Sequence, residues 1–377
     1  MIYLDNAASW PILPSVMGAL NRSLEDDYAN LSAAHRMGKD LSERVEMMRK
    51  GFINLANAPE GYQFYFTSSA TESNNWVIWQ MEVGPADEVF YSRADHPSIT
   101  VPLEKSGTRL QNIPRSVDGR INLNQLLDKL SCDTKAVFLT WVNGQSGHLE
   151  DVAFIAQEIK RRHSEIYVHV DGVQGFGKHA ISLQGASIDS FSLSSHKIGG
   201  PKGIAGVYFR TVPRKALLHG GGQENNMRAG TPPFPLIVGM YEAAQWMEKH
   251  REKLRLQMQQ LNQSVRSLLS AQREIAFPFL AEHCSPFIAM LTVAGVPSDV
   301  LLRHLEMEQV FCSSTAACSS KIKGLNPTFT DLGIPEDLHK NVLRLSFGWQ
   351  NALEDVKAMC LLLGGVLHTI SHLTHKR

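Results

Sequence analysis

The chain carries no excess charge of either sign: 37 lysines and arginines offset 37 aspartates and glutamates. That balance removes the usual electrostatic grounds for direct binding to nucleic acid or to an anionic membrane surface. Long hydrophobic runs are missing too. The longest, MCLLLGGVLHTI from Met359, falls short of the ~20 apolar residues that span a bilayer, and it reads as a core-facing helix. The opening stretch MIYLDNAASW holds an acid early and no basic-then-apolar pattern, so no export signal is expected. Cysteine is scarce, with five residues, Cys132, Cys284, Cys312, Cys318 and Cys360. The number is odd and no pair has C-x-x-C spacing, which speaks against a disulfide framework and a zinc site. Reduced thiols in a cytoplasmic compartment fit better, one of them chemically active.

What is present is enough apolar material for a sizeable core: 43% hydrophobic residues in a chain of 377, a length that allows two domains. Apolar runs with strand character, YQFYFT, EVFYS, AVFLTWV, IYVHVDG, IDSFSLS and IAGVYFR, alternate with helix-like stretches such as ATESNNWVIWQM and LEDVAFIAQEIKRR. This alternation predicts an α/β fold, a mostly parallel central sheet flanked by helices. A long charged helical segment follows, and then FIAMLTVAG, VLRLSFG and LEDVKAMCLLLGGVLHTI make a smaller α+β unit. The predicted division is a large domain over 16–260 and a small domain formed by 1–15 with 261–377.

Three stretches carry candidate chemistry. In FTSSATESNNW a strand runs into Ser69 and Glu72, an S-x-x-E capping box, and small hydroxylated residues at a helix start leave N–H groups for an anion such as phosphate. In VHVDGVQGFG the apolar strand delivers Asp171 at its carboxyl end, where an acid needs a cation or a metal. In SLSSHKIGG another strand ends just before Lys197. In open sheets of this kind ligands sit at the carboxyl ends of the strands, so both residues belong on one rim. Taken singly, each stretch is explained as well by a capped helix, a turn aspartate or a surface lysine. Together they supply what pyridoxal phosphate needs: a covalent anchor, a partner for the ring nitrogen and a phosphate cradle.

With YLDNAAS, FTSSATESNN, HVDGVQ, SLSSHKIGGPKG, GGGQENNMRAGT and STAACSS in this order along essentially the whole chain, the sequence resembles the class V, fold-type I pyridoxal-phosphate enzymes, and among them the NifS/IscS-like cysteine desulfurases. The resemblance implies pyridoxal 5'-phosphate as cofactor, with Lys197 as its covalent anchor and later the carrier of protons at the substrate Cα. Asp171 would pair with the ring nitrogen, Gln174 would donate to the ring's 3-oxygen, and Asn143 would lie along the same edge. His96 would stack on the ring and assist proton transfer. Ala70, Thr71, Ser194 and His196 would hold the phosphate, and Thr231 would reach the phosphate of a neighbouring subunit, implying a homodimer. Arg344 would take the substrate carboxylate, with Asn6 and Ala7 lining the pocket and His35 near the dimer interface.

The same resemblance assigns the reaction to a cysteine. Family nucleophiles precede a Ser-Ser or Thr-Ser pair on a mobile loop, the context of Cys318 in AACSS, whereas Cys312 in QVFCSS reads as strand packing. The implied reaction turns L-cysteine into L-alanine and leaves a persulfide on Cys318 for a sulfur-acceptor protein, in iron–sulfur assembly, tRNA thiolation, cofactor synthesis or DNA sulfur modification. Any nucleic acid would be reached through that acceptor, and no membrane is involved. Other class V lyases, acting on selenocysteine or cysteine sulfinate, and a non-catalytic scaffold subunit are the alternatives. The chain departs from the family pattern at Ser69, at Gly144 in VNGQSG, at Asn225 and Asn226, and at Trp349. These departures point to a member specialised for one acceptor.

Overall fold

A computed structural model describes residues 1–314 and 326–374. The strands are Ile2–Tyr3 (β1), Gln63–Thr67 (β2), Glu88–Tyr91 (β3), Arg109–Asn112 (β4), Thr134–Thr140 (β5), Tyr167–Asp171 (β6), Ser190–Ser194 (β7), Ala205–Phe209 (β8), Ile275–Ala276 (β9), Ile288–Val293 (β10), Val310–Phe311 (β11) and Val342–Ser346 (β12). The helices are Pro14–Asp26 (α1), Arg36–Leu55 (α2), Ala70–Met81 (α3), Pro97–Lys105 (α4), Leu123–Lys129 (α5), Val152–Arg162 (α6), Phe234–Leu269 (α7), Ser298–Met307 (α8), Pro327–Asp331 (α9) and Leu353–Thr374 (α10).

Seven strands form the central sheet in the order β2-β8-β7-β6-β5-β3-β4. All neighbours are parallel except β8, which runs antiparallel between β2 and β7. Every apolar run expected to be a strand is one, and the α/β expectation holds. β4 was not foreseen, because RLQN is an edge strand whose residues alternate between exposed and half-buried and carry no apolar run. Side-chain alternation explains why helices cover both faces. Phe64 and Phe66 of β2 pack on Phe52 of α2 in the core cluster that also holds Ile155 of α6 and Met240 of α7, while Tyr65 turns the other way onto Trp76 of α3 in the cluster that holds Ile99 of α4.

α7 is one continuous helix of 36 residues, about 54 Å long at 1.5 Å per residue, and residue 260 lies within it. Beyond it β12-β10-β9 form an antiparallel sheet. The N-terminal segment joins this part: β1 pairs in parallel with β11, and Asp5 bridges Ser346. The same segment then crosses to the large sheet, where Trp10 N donates to His196 O at 3.0 Å and Leu13 N to Gly199 O at 2.9 Å.

Candidate active site

Register puts the carboxyl ends of four strands on one rim. Thr140 of β5 pairs with Asp171 of β6, Asp171 with Ser192 of β7, and Ser194 with Ala205 of β8, which in turn faces Thr67 of β2. From β2 the chain enters α3 with Ser69 as its cap, the hydroxyl accepting from Glu72 N at 3.2 Å. The reciprocal arm of the capping box goes elsewhere: the Glu72 carboxylate takes Ser68 N at 2.8 Å and Arg228 Nε at 2.7 Å. Burial works to raise the Glu72 carboxyl, but Arg228 and Ser68 outweigh it and hold it below its usual range. Ala70 is half-buried and Thr71 exposed. Their backbone N–H groups stand in the first turn, where no intrahelical acceptor exists.

Asp171 is buried at the end of β6 and accepts from Val173 N at 3.0 Å and Asn74 Nδ2 at 3.2 Å. Among the described residues no cation pairs with it. Gly172 and Gly175 let the following turn lie flat: a Cβ on Gly172 would stand 1.9 Å from the Phe191 ring, and one on Gly175 would stand 2.2 Å from Trp141. Behind Asp171 runs a buried polar chain that the sequence reading missed. Asn74 Nδ2 also donates to Ser98 Oγ at 2.9 Å, and its Oδ1 faces His169 Nε2 at 3.2 Å, whose Nδ1 meets Ser190 Oγ at 2.8 Å. Burial pushes His169 down to about 3, so it is neutral.

His96 closes that chain on the other side. Its Nδ1 accepts from Ser98 N at 3.1 Å and faces Ser98 Oγ at 2.9 Å, which leaves Nε2 as the protonated nitrogen. Desolvation and the charge of Lys197 lower the His96 pKa, with Asp171 acting against them. Beside it Asp95 is buried, and burial pushes its carboxyl up to about 7 despite bonds from Ser92 N at 2.8 Å and Thr140 Oγ1 at 2.7 Å.

Lys197 follows β7 in a short 3-10 turn, and its Nζ donates to the carbonyls of Ala7 and Ala8, both at 2.7 Å. Gln174 Nε2 donates to the same Ala7 carbonyl at 2.7 Å. Asn143 is buried nearby on the β5 side, spending its amide on Ala94 O at 3.0 Å and its oxygen on Gln145 N and Ser146 N. Ser194 is buried and His196 half-buried, its Nδ1 3.2 Å from Ser9 Oγ. Desolvation first, then Lys197, Lys202 and Lys178, push His196 down to about 4.

Arg344 of β12 approaches from the smaller sheet. Its guanidinium donates to Asp5 Oδ1 at 2.6 Å and to Gly144 O at 2.8 Å, and its Nε is buried with no partner among the described residues. Asn6 is fully buried, donating to Ser346 O and Asn351 Oδ1, and Ala7 N donates to Ser346 Oγ. Cys312 follows β11 directly. Burial and Asp5 push its thiol up to about 12, with Arg344 offsetting only part, so it stays protonated at neutral pH. Cys318 lies outside the described residues.

Two candidates are not drawn into this cluster. Thr231 is exposed just before α7, and His35 is the exposed cap of α2, accepting from Gly38 N at 3.3 Å. Asn225 and Asn226 adopt φ of 54° and 66°, a left-handed conformation that asparagine tolerates better than most residues. Trp349 donates to Pro11 O at 3.4 Å.

The family model for class-V aminotransferases matches residues 2–359. A cysteine desulfurase of Sinorhizobium fredii is 31% identical over 378 residues, covering 97% of this chain and 96% of its own. Among solved structures, a NifS-like protein superimposes with a TM-score of 0.90 at 24% identity, over 98% of this chain and 99% of its own. SspA in complex with cysteine superimposes with a TM-score of 0.79 at 25% identity, over 92% and 99%.

Proposed function

From the premise that this chain belongs to the aminotransferase class-V family, whose chemistry depends on pyridoxal 5'-phosphate, we propose that it is an L-cysteine desulfurase that passes sulfur through Cys318. The observation that carries the reading is that Asp171 ends β6 while Lys197 follows the neighbouring strand β7, on one rim. A buried carboxylate facing only N–H donors fits a protonated ring nitrogen, and a lysine lies beside it. The open first turn of α3 fits a phosphate, so the residues present fit the cofactor.

When bound, pyridoxal 5'-phosphate supplies an electron sink for the pair left at the substrate Cα. The chain's own residues divide the remaining work. Ala70, Thr71, Ser194 and His196 would hold the phosphate, and Asp171, itself fixed by Asn74, would hold the ring nitrogen. Gln174 and Asn143 would border the ring, and His96, with Nδ1 spent on Ser98, would stack on it and assist proton transfer. Arg344 binds the substrate carboxylate with its unpartnered Nε, and Asn6 and Ala7 line the pocket. Lys197 anchors the cofactor, then takes the Cα proton and returns one. The Cys318 thiolate attacks the substrate sulfur: an S–S bond forms, the Cβ–S bond breaks, and its electron pair stays on carbon, which a proton turns into the alanine methyl.

The same proposal includes a homodimer, with Thr231 completing the phosphate site of the other copy, a cytoplasmic location, and a sulfur-acceptor protein as partner. It also keeps the division of the chain into 16–260 and 1–15 with 261–377. No helix among the described residues is long and apolar enough to cross a membrane. Release of alanine from L-cysteine by the cofactor-loaded protein tests the reading. Alanine should form in step with cysteine loss; pyruvate or no product would refute it.

A further inference from the structure

Lys178 is a buried cation that the proposed reaction leaves unused. It is 1% exposed, and no carboxylate pairs with it among the described residues. Its Nζ lies 5.2 Å and 5.7 Å from the ring centres of Trp10 and Phe287, and it donates to Gln174 Oε1 at 3.1 Å. A lysine held this way is costly to bury, and burial together with the charge of Lys197 pushes it down to about 7. An ammonium has donors only. While Lys178 is charged, the Gln174 atom that faces it is the oxygen, and Nε2 is turned the other way, onto the Ala7 carbonyl that Lys197 also uses. With no cation at 178 that carbonyl alone still favours an N–H, and the carboxamide loses the second of the two contacts that set its orientation.

We infer that Lys178 is a positioning residue that fixes the Gln174 carboxamide with its N–H groups facing the cofactor site, so that Gln174 acts as a donor to the ring's 3-oxygen. The inference rests on the proposed reading of Gln174. Lys178 touches neither substrate nor cofactor; its charge also reaches Lys197, and the double variant with Gln174→Ala separates that direct effect from positioning. The other ionisable groups near it, Lys197, His179 and His196, are untouched by the variants below.

A donor on the ring oxygen stabilises its anion and makes the nitrogen joined to Lys197 less basic. Titrating the visible absorption band of the cofactor-loaded protein against pH reads this directly. Gln174→Ala should move the midpoint up by about one pH unit, the worth of one such bond. Lys178→Met should move it up as well, and by less on the Gln174→Ala background, where only the direct effect of the lost charge on Lys197 remains; Lys178→Gln, whose amide faces Gln174 either way, should move it less than Lys178→Met. If Lys178→Met does not fold, the Lys178→Gln shift decides. A Lys178 shift of the same size with and without Gln174, or no shift at all, with Gln174→Ala shifted, overturns the inference and leaves the reading of Gln174 standing. An unchanged midpoint in Gln174→Ala overturns both.

Discussion

Asp171 and Arg344 both place charge on a sheet strand, one at its end and one at its centre, and they are held by different means. Asp171 sits where neighbouring parallel strands end in register, steadied by Asn74 and by a buried polar chain through His169 and Ser190. Arg344 is held by an acid 339 positions away in sequence and a carbonyl 200 positions away, both delivered by segments that cross between the sheets. The first arrangement is fixed before any ligand arrives. The second holds a guanidinium against an internal carboxylate that a substrate carboxylate would have to displace, with one buried N–H still unspent. On the proposed reading, the cofactor half of the site would be preorganised and the substrate half poised for exchange.

Substitutions can break that contrast. The largest expected effect is Lys197→Ala, which should abolish the visible absorption of the loaded protein and lower turnover by about 10²–10⁴-fold, the usual worth of a positioned proton carrier; single-turnover kinetics with the cofactor spectrum measures both. Next is Glu224→Gln. Glu224 binds Arg49 at 2.7 and 2.9 Å and Phe66 N at 2.9 Å, deep beside β2. Removing this carboxylate leaves Arg49 with Glu46 at 3.1 Å and the Phe64 carbonyl at 2.6 Å, and should still cost about 1–3 kcal/mol in denaturant unfolding, whereas a loss well below 1 kcal/mol would mean that the rim side is not the rigid half. Arg344→Gln should raise KM for L-cysteine roughly 30-fold, about 2 kcal/mol of charge-assisted bonding, with kcat little changed. Asp5→Asn, which weakens the internal competitor, should lower KM a few-fold.

Acid stability measures the same burial in a separate way. His169 is pushed down to about 3, and His148, His179 and His196 to about 4, in each case first by burial. Their unfolded forms take up protons near the ordinary histidine value of 6.5 while the folded forms do not. Stability is therefore full above pH 6.5 and falls as the pH drops from there toward 4 and 3. Thermal unfolding across that range should show the decline, and His169→Gln should flatten part of it.

The contrast also governs what was legible in the sequence. Asp171, Lys197 and the α3 cap could be read because each lies at the end of an apolar run, and a run of buried strands announces itself. Asn74 and His169 were passed over because they look like ordinary members of a helix and a strand. The signal for Lys178 was a cation four residues after Gln174 in a glycine-rich turn, and nothing local says that it is buried. Asp5 stood in plain view in YLDNAAS, but its partner is at the far end of the chain. Glu72 shows the limit of a local motif: the cap forms, and the acid goes to Ser68 and Arg228 rather than back to its own cap residue.

The central claim is that sulfur leaves L-cysteine through Cys318. Digesting the cofactor-loaded protein after brief exposure to L-cysteine and weighing the peptide that contains Cys318 tests it most directly. The expected result is a gain of one sulfur atom on that peptide, in step with alanine release, and loss of both in Cys318→Ala. Alanine release at the wild-type rate from Cys318→Ala, with the sulfur freed elsewhere, would contradict it.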